Sequence, residues 1–277
     1  MERRSRLFDA HVHLQAAEFD GLLDSALAAA RQEGLAAWCC NGSQEGDWPQ
    51  VLDLARRHAG IVPCFGLHPW HVAGRSAGWM AALERALDAL PSAIGEIGLD
   101  RWIEPRDEAA QEDVFRAQLD LARRRNRPVT IHCLRAWGWL MDILRSEAPL
   151  PAGMLLHAYG GPVELIAPLA EMGACFSFAG DTLDERKVRK REALRAVPRD
   201  RILVETDAPD LPPPPAFRTH GLKDADGRER NHPANLRAIV RGLARLRGET
   251  EEELAGAAWR NARRLMGGLL PAEAGEG

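Results

Sequence analysis

The chain has 277 residues, 45% hydrophobic and 27% charged, which fits one large α/β domain or two small ones and excludes a disordered polymer. Lys and Arg number 36 against 40 Asp and Glu, a formal charge of −4. That balance argues against a broad basic surface for nucleic acid, but not against a local anion site built on a metal.

No apolar run approaches the ~20 residues needed to span a bilayer. Met1-Glu2-Arg3-Arg4 leads into a strand pattern rather than a signal peptide, so a cytoplasmic protein is expected. Cys39, Cys40, Cys64, Cys133 and Cys175 fall in apolar stretches without a C-x-x-C pair. They read as reduced core residues.

In chain order, the first strand pattern (6–13) carries Leu7-Phe8-Asp9-Ala10-His11-Val12-His13. An i, i+2 spacing on a strand puts both imidazoles on one face, where they could take the same divalent metal. Further strand patterns follow at 36–41, 61–67, 93–98, 128–133, 153–157, 174–178 and 201–206. Helical periodicity separates them at 19–33, 46–59, 77–90, 107–126, 135–147, 162–172 and 184–197, with two more helical segments near 233–247 and 250–268. Eight strands, each followed by a helix, predict a (β/α)8 TIM barrel in a single domain over 1–270, with a frayed tail at 271–277. A doubly wound sheet is the structural alternative, weakened because no G-x-G-x-x-G follows the first strand. Residues 210–232, with Pro212-Pro213-Pro214-Pro215, read as a long loop beyond the eighth strand, where a barrel carries its active-site loops.

Polar residues recur where the apolar runs stop: Glu96 on the fourth strand, His132 on the fifth, His157 on the sixth and Asp207 after the eighth. A parallel barrel brings these ends to one rim. A site with two divalent metals needs about six ligands and a bridging carboxylate. His11, His13 and Asp207 could hold one ion, His132 and His157 the second, and Glu96 could bridge them. Such ligands suit Zn, Mn or Fe, whereas Mg prefers oxygen alone. Asp207 could also accept the proton of an attacking water, so Asp207 and Glu96 are the catalytic candidates. The plain alternatives are hydrogen-bonded strand-end histidines, an Asp capping a helix and a Glu paired with an arginine. They would have to hold independently at several strand ends.

This constellation resembles the TatD family of metal-dependent hydrolases, within the amidohydrolase superfamily. The resemblance rests on Phe8-Asp9-Ala10-His11-Val12-His13, Gly66-Leu67-His68-Pro69, Gly95-Glu96-Ile97-Gly98-Leu99-Asp100, Pro128-Val129-Thr130-Ile131-His132, His157-Ala158-Tyr159-Gly160-Gly161 and Glu205-Thr206-Asp207-Ala208-Pro209. Gln111, Phe115 and Gln118-Leu119 match its Q…F…QL pattern, and Asn261 with Arg264-Leu265 resembles its N-x-x-R-L-F ending. The resemblance implies a TIM barrel with two divalent ions (Zn, Mn, Mg or Fe) held by His11, His13, Glu96, His132, His157 and Asp207. It also implies deoxyribonuclease or phosphodiesterase activity, with DNA or another phosphodiester as the partner and His68 beside the substrate. The chain departs from the family's common His-Cys-Phe-Ser-Gly, Thr-Asp-Ser-Pro and Asn-Glu-Pro at His157-Ala158-Tyr159-Gly160-Gly161, Asp207-Ala208-Pro209 and Asn231-His232-Pro233. Arg135 stands three residues beyond His132 where the family often has arginine two beyond. The departures keep every expected ligand and alter the substrate rim.

Arg101, Arg135, Arg228 and Arg230 are candidate phosphate contacts, and Trp70, Trp102 and Trp137 follow strands where they could stack on bases. Trp139 reads as helix packing. Three functions compete: a nuclease acting on DNA single strands or ends, a small-molecule amidohydrolase or esterase on the same metals, and a non-enzymatic module on a degenerate barrel. The third predicts a missing ligand, and none of the six is missing. No membrane and no obligate protein partner is implied.

Overall fold

A computed structural model describes residues 5–270, so the expected tail at 271–277 lies outside the described residues. Eight parallel strands lie side by side in sequence order: β1 (Leu7–Val12), β2 (Leu35–Asn41), β3 (Ile61–Phe65), β4 (Ala93–Asp100), β5 (Val129–Leu134), β6 (Met154–Leu156), β7 (Ala174–Phe178) and β8 (Ile202–Val204). Helices α1 (Leu23–Gln32), α2 (Trp48–Arg57), α3 (Trp79–Ala89), α4 (Glu108–Arg125), α5 (Trp137–Ser146), α6 (Ile166–Glu171) and α7 (Val188–Ala196) alternate with them. A hairpin, β9 (Leu222–Lys223) with β10 (Glu229–Arg230), precedes α8 (Leu236–Arg247) and α9 (Glu251–Met266). This is the expected TIM barrel. Among the described residues, no helix is long and apolar enough to cross a membrane.

The barrel closes at its rim. The Asp207 amide donates to the His11 carbonyl at 2.9 Å and the His13 amide to that of Ala208 at 2.8 Å. Between them the Asp9 carboxylate accepts from the Thr206 amide at 2.8 Å and the Thr206 hydroxyl at 2.5 Å. The seam that joins the first strand to the last is therefore also where His11, His13 and Asp207 meet.

Phe8, Ala10, Ala37, Cys39, Val62, Cys64, Ala93, Leu155, Cys175 and Leu203 form one buried cluster. Seven strands contribute to it, which only a barrel interior allows. Ala262, Leu265 and Met266 of α9 join the same cluster. Two residues further along these strands the composition turns polar: Cys39 gives way to Asn41, Leu155 to His157, and Leu203 to Glu205 and then Asp207. The two-residue alternation of a strand thus places chemistry directly above an apolar plug.

Two sequence expectations shift. The fourth strand runs to Asp100 rather than residue 98, because Leu99 and Asp100 still pair with Cys133 and Leu134. The 210–232 segment is partly ordered as a hairpin, whose turn is held by Asp224 Oδ1 accepting the amides of Asp226 and Arg228.

The helices follow their apolar spacing. Leu236, Ile239, Val240 and Leu243 are buried on α8 at i, i+3, i+4 and i+7. Thr250 and Glu253 close a reciprocal capping box at the start of α9. The short turn before α8 is capped by His232, whose Nδ1 accepts the Ala234 amide at 3.0 Å. Burial, with His220 beside it, lowers the His232 pKa from 6.5 to about 4.

His232 is therefore neutral when folded and protonates more readily when unfolded. Its contribution is complete above pH 6.5 and is lost as pH falls toward 4. His232→Asn keeps a side-chain acceptor and removes the titration. Urea unfolding should show the variant gaining on the wild type by about 1–3 kcal/mol between those limits. A difference that stays constant with pH would show that His232 does not titrate there.

Candidate metal centre

Glu96, on β4, lies at the middle of the rim. Its two carboxylate oxygens face different sets of imidazoles. Oε2 lies 3.2 Å from His11 Nε2 and 3.5 Å from His13 Nε2. Oε1 lies 2.8 Å from His157 Nε2, 3.1 Å from His132 Nδ1 and 3.3 Å from His68 Nε2. Asp207 Oδ1 completes the first set, 3.8 Å from His11 Nε2 and 3.6 Å from His13 Nε2. The six residues singled out from strand ends are thus brought together, with His68 as a seventh neighbour.

Neighbouring groups settle which ring nitrogen faces the carboxylate. His13 Nδ1–H donates to the Asn41 carbonyl at 2.8 Å, leaving the Nε2 lone pair toward Glu96 and Asp207. His132 Nε2–H donates to Asp100 Oδ2 at 3.0 Å, leaving Nδ1 toward Glu96. His68 is the reverse: its Nδ1 accepts the Trp70 amide at 3.2 Å, so the neutral ring carries its proton on Nε2 and presents a donor. His68 is near the cluster without offering it a lone pair.

The supports are themselves held. Gln111 of α4 brackets the Asp100 backbone, accepting its amide at 2.8 Å and donating to its carbonyl at 3.0 Å. Gln118, seven residues on, does the same for Leu67, beside His68. Asn261 donates to the carbonyls of Arg199 and Ile202, tying α9 to β8 beneath Glu205 and Asp207. Glu205 accepts the Ala158 amide at 2.7 Å and the Ser177 hydroxyl at 2.5 Å, placing it behind His157. Arg135, Ala158 and Asp207 all have positive φ (56°, 45° and 54°), so the backbone is strained where the strands release their rim residues.

Burial would raise the Glu96 pKa, but His157, His68 and His11 overcome it and hold the carboxylate well below its usual range. Asp207 is pushed well above its usual range by burial, with Glu205 and Glu96 adding repulsion. Burial lowers His11 to about 4, and His157 beside it adds to the effect. Burial likewise lowers His68 to about 4. His157 resists burial because Glu96 and Glu205 hold its proton, raising it well above the ordinary value. Asp100, pulled down by donors from His132 and Trp70 against its burial, falls to about 2.

The donor set fits divalent metal. With metal–nitrogen bonds of about 2.0–2.1 Å, a tetrahedral edge is roughly 3.3–3.4 Å. The His11 and His13 Nε2 atoms are 3.3 Å apart, and His132 Nδ1 lies 3.4 Å from His157 Nε2. On the far side of these rings, His11 Nδ1 is buried without a hydrogen-bond partner among the described residues, and His157 Nδ1 faces Glu205 Oε1 at 3.7 Å.

A cavity of about 430 Å³ opens over the cluster, lined by His13, His68, Glu96, His132, His157 and Asp207 and by Gln15, Glu18, Ser43, Asp47, Trp70 and Asp210. Of the expected substrate contacts, His68 lines it and the arginines do not. Arg101 turns outward to Glu108 at 3.0 Å and lies over Trp139. The Arg135 guanidinium lies 3.9 Å from the centre of the Trp102 ring. Arg228 pairs with Asp226, and Arg230 joins Asp210, Asp224 and Glu18. Trp70 and Trp102 are exposed, whereas Trp137 packs edge-on against Tyr159. Trp139 donates to Glu112 on the neighbouring helix, as helix packing requires. Spacing alone gives no role to Asn41, Asp100 or Glu205. The signal for Asp100 and Glu205 is their place inside the rim motifs, and for the glutamines their seven-residue separation on one helix face.

The sequence profile of the family described as TatD related DNase matches residues 8–267. The chain is 35% identical over 265 residues to a protein of Erwinia amylovora named 3'-5' ssDNA/RNA exonuclease TatD, covering 94% of this chain and all of that one. It is 29% identical to the uncharacterized metal-dependent hydrolase YabD of Bacillus subtilis, over 94% of this chain and 98% of that one. The crystal structure of YJJV, a TatD homologue from Escherichia coli, superposes with a TM-score of 0.85 at 27% identity, covering 94% of this chain and 98% of that one.

Proposed function

We propose a function from one premise: the chain belongs to the TatD related DNase family and is a metal-dependent hydrolase. The catalytic unit is the single barrel over 1–270, and its substrate is a phosphodiester, namely single-stranded DNA or a strand end. The observation that carries this reading is the Glu96 carboxylate lying between two sets of imidazoles, one oxygen to each. His11, His13 and Asp207 would hold one divalent ion, His132 and His157 a second, and Glu96 both. Bound there, such ions would polarise a phosphoryl oxygen and bring the pKa of an attacking water toward neutrality.

The chain's own groups divide the remaining work. Asp207 accepts the proton of the water. Asn41 and Asp100 fix the tautomers of His13 and His132, so neither ring must reorient when substrate arrives. His68 lines the cavity with its Nε2–H facing Glu96 Oε1 at 3.3 Å, and it would turn that donor from Glu96 to a phosphate oxygen when substrate binds. Arg135 and Arg101 are the proposed phosphate contacts beyond the cavity, and Arg101 must leave Glu108 to serve. The five free cysteines suit a reducing cytoplasm.

A protein reconstituted with Mn²⁺ or Mg²⁺ should shorten a single-stranded oligonucleotide, lose that activity to a chelator and regain it with added metal. Absence of oligonucleotide turnover across Mg²⁺, Mn²⁺ and Zn²⁺ contradicts the reading. One observation favours hydrolysis of a small ester instead: the cavity is lined by Glu18, Asp47 and Asp210 and by no lysine or arginine. Carboxylic esters assayed beside the oligonucleotide separate the two.

A further inference from the structure

We propose that Trp70 and Trp102 form a nucleobase subsite on the β3–β5 side of the mouth, anchored to the metal centre through Asp100. The proposal rests on the nucleic-acid reading above and says where the strand lies.

Trp70 and Trp102 are 53% and 57% exposed, the two most exposed aromatic side chains among the described residues. Exposure on this scale would suit a loose loop, but neither residue is loose. The Trp70 indole N–H donates to Asp100 Oδ2 at 2.6 Å, and the Trp102 amide donates to Asp100 Oδ1 at 2.5 Å. Asp100 Oδ2 also accepts from His132, one of the proposed metal ligands. One buried carboxylate thus fixes the Trp70 indole, the Trp102 backbone and the inner imidazole. Trp70 lines the cavity itself and stands edge-on to His68, with ring centres 5.1 Å apart.

Arg135 gives this wall its charge. Its guanidinium lies over the Trp102 ring, and among the described residues it has no carboxylate partner. The side formed by the loops after β1 and β8 is acidic: Glu18 and Asp210 line the cavity there and share a single cation, Arg230. A polyanion leaving the metals is repelled from the acidic side and meets indole faces and an unpaired cation on the other. Aromatic faces accept any base, so this subsite confers affinity for a strand without a sequence preference. Because Asp100 fixes the Trp70 indole and the Arg135 guanidinium packs on one side of the Trp102 ring, little side-chain freedom is lost on stacking.

The test compares two substrates of the metal-reconstituted enzyme: a single-stranded oligonucleotide and methyl p-nitrophenyl phosphate, a phosphodiester with no base. Trp102→Ala and Trp70→Ala should each lower kcat/KM on the oligonucleotide at least ~10-fold more than on the small diester, mainly through KM. Trp102→Tyr should recover most of that ratio, since it restores an aromatic face. Equal effects on both substrates in both alanine variants, or a Trp102→Tyr no better than Trp102→Ala, would overturn the subsite. A wild type that hydrolyses the small diester but no oligonucleotide would instead overturn the nucleic-acid reading, and the subsite with it.

Discussion

Asp207→Asn should lower turnover at least ~10²-fold at saturating metal, while the fold persists. The substitution keeps the size and shape of the side chain. It also keeps the backbone bond from the residue 207 amide to the His11 carbonyl that closes the barrel. What changes is chemistry. An amide oxygen is a weaker ligand than a carboxylate toward the space that Asp207 Oδ1 shares with His11 and His13 Nε2, and it cannot take a proton. The carboxylate is also costly where it stands, since burial and the acidic neighbours Glu205 and Glu96 oppose its charge. The metal-free variant should therefore unfold at a temperature equal to or above that of the metal-free wild type. Turnover within about tenfold of the wild type would remove Asp207 from the proton-accepting role.

Glu96→Ala should have the larger effect on the metals. The residue is buried and touches both imidazole sets, so its loss would remove the proposed shared ligand from each at once. It also leaves His157 without the carboxylate that most raises its pKa, so that ring becomes easier to deprotonate but loses its nearest acidic neighbour. Removing a group that merely orients a ligand typically weakens metal affinity 10–100-fold. Removing a ligand shared by two ions should exceed that range for both, and activity should fall with occupancy. Loss of one ion with full retention of the other would assign Glu96 to a single metal.

Much of this fold is legible in the sequence because strand and helix periods alternate cleanly, and because polar residues stand where apolar runs stop. Glu96, His132, His157 and Asp207 are each separated from the next by 25 to 50 residues, yet each lies on a strand or within three residues of its C-terminal end, and a parallel barrel gathers them on one rim. The boundaries drifted where tertiary pairing decides them. The fourth strand runs on to Asp100 because the fifth runs on beside it. Residues 222–230 of the 210–232 segment form a hairpin because Asp224 closes its turn, a local device with no periodicity to betray it. The rim arginines were the least legible. Composition says that Arg101 and Arg230 are cations near strand ends, but not that Glu108 and Asp210 already hold them. The tautomer of His68 is equally invisible in sequence, since it depends on one backbone amide from Trp70.

The central claim is that one carboxylate joins two ions on this rim. It is tested most directly by the equivalents of Mn²⁺ retained per chain, measured by elemental analysis for the wild type and Glu96→Ala side by side after identical loading and dialysis. The account predicts two equivalents in the wild type and fewer than one in the variant. A wild type that retains none, or a Glu96→Ala protein that retains both, would contradict it.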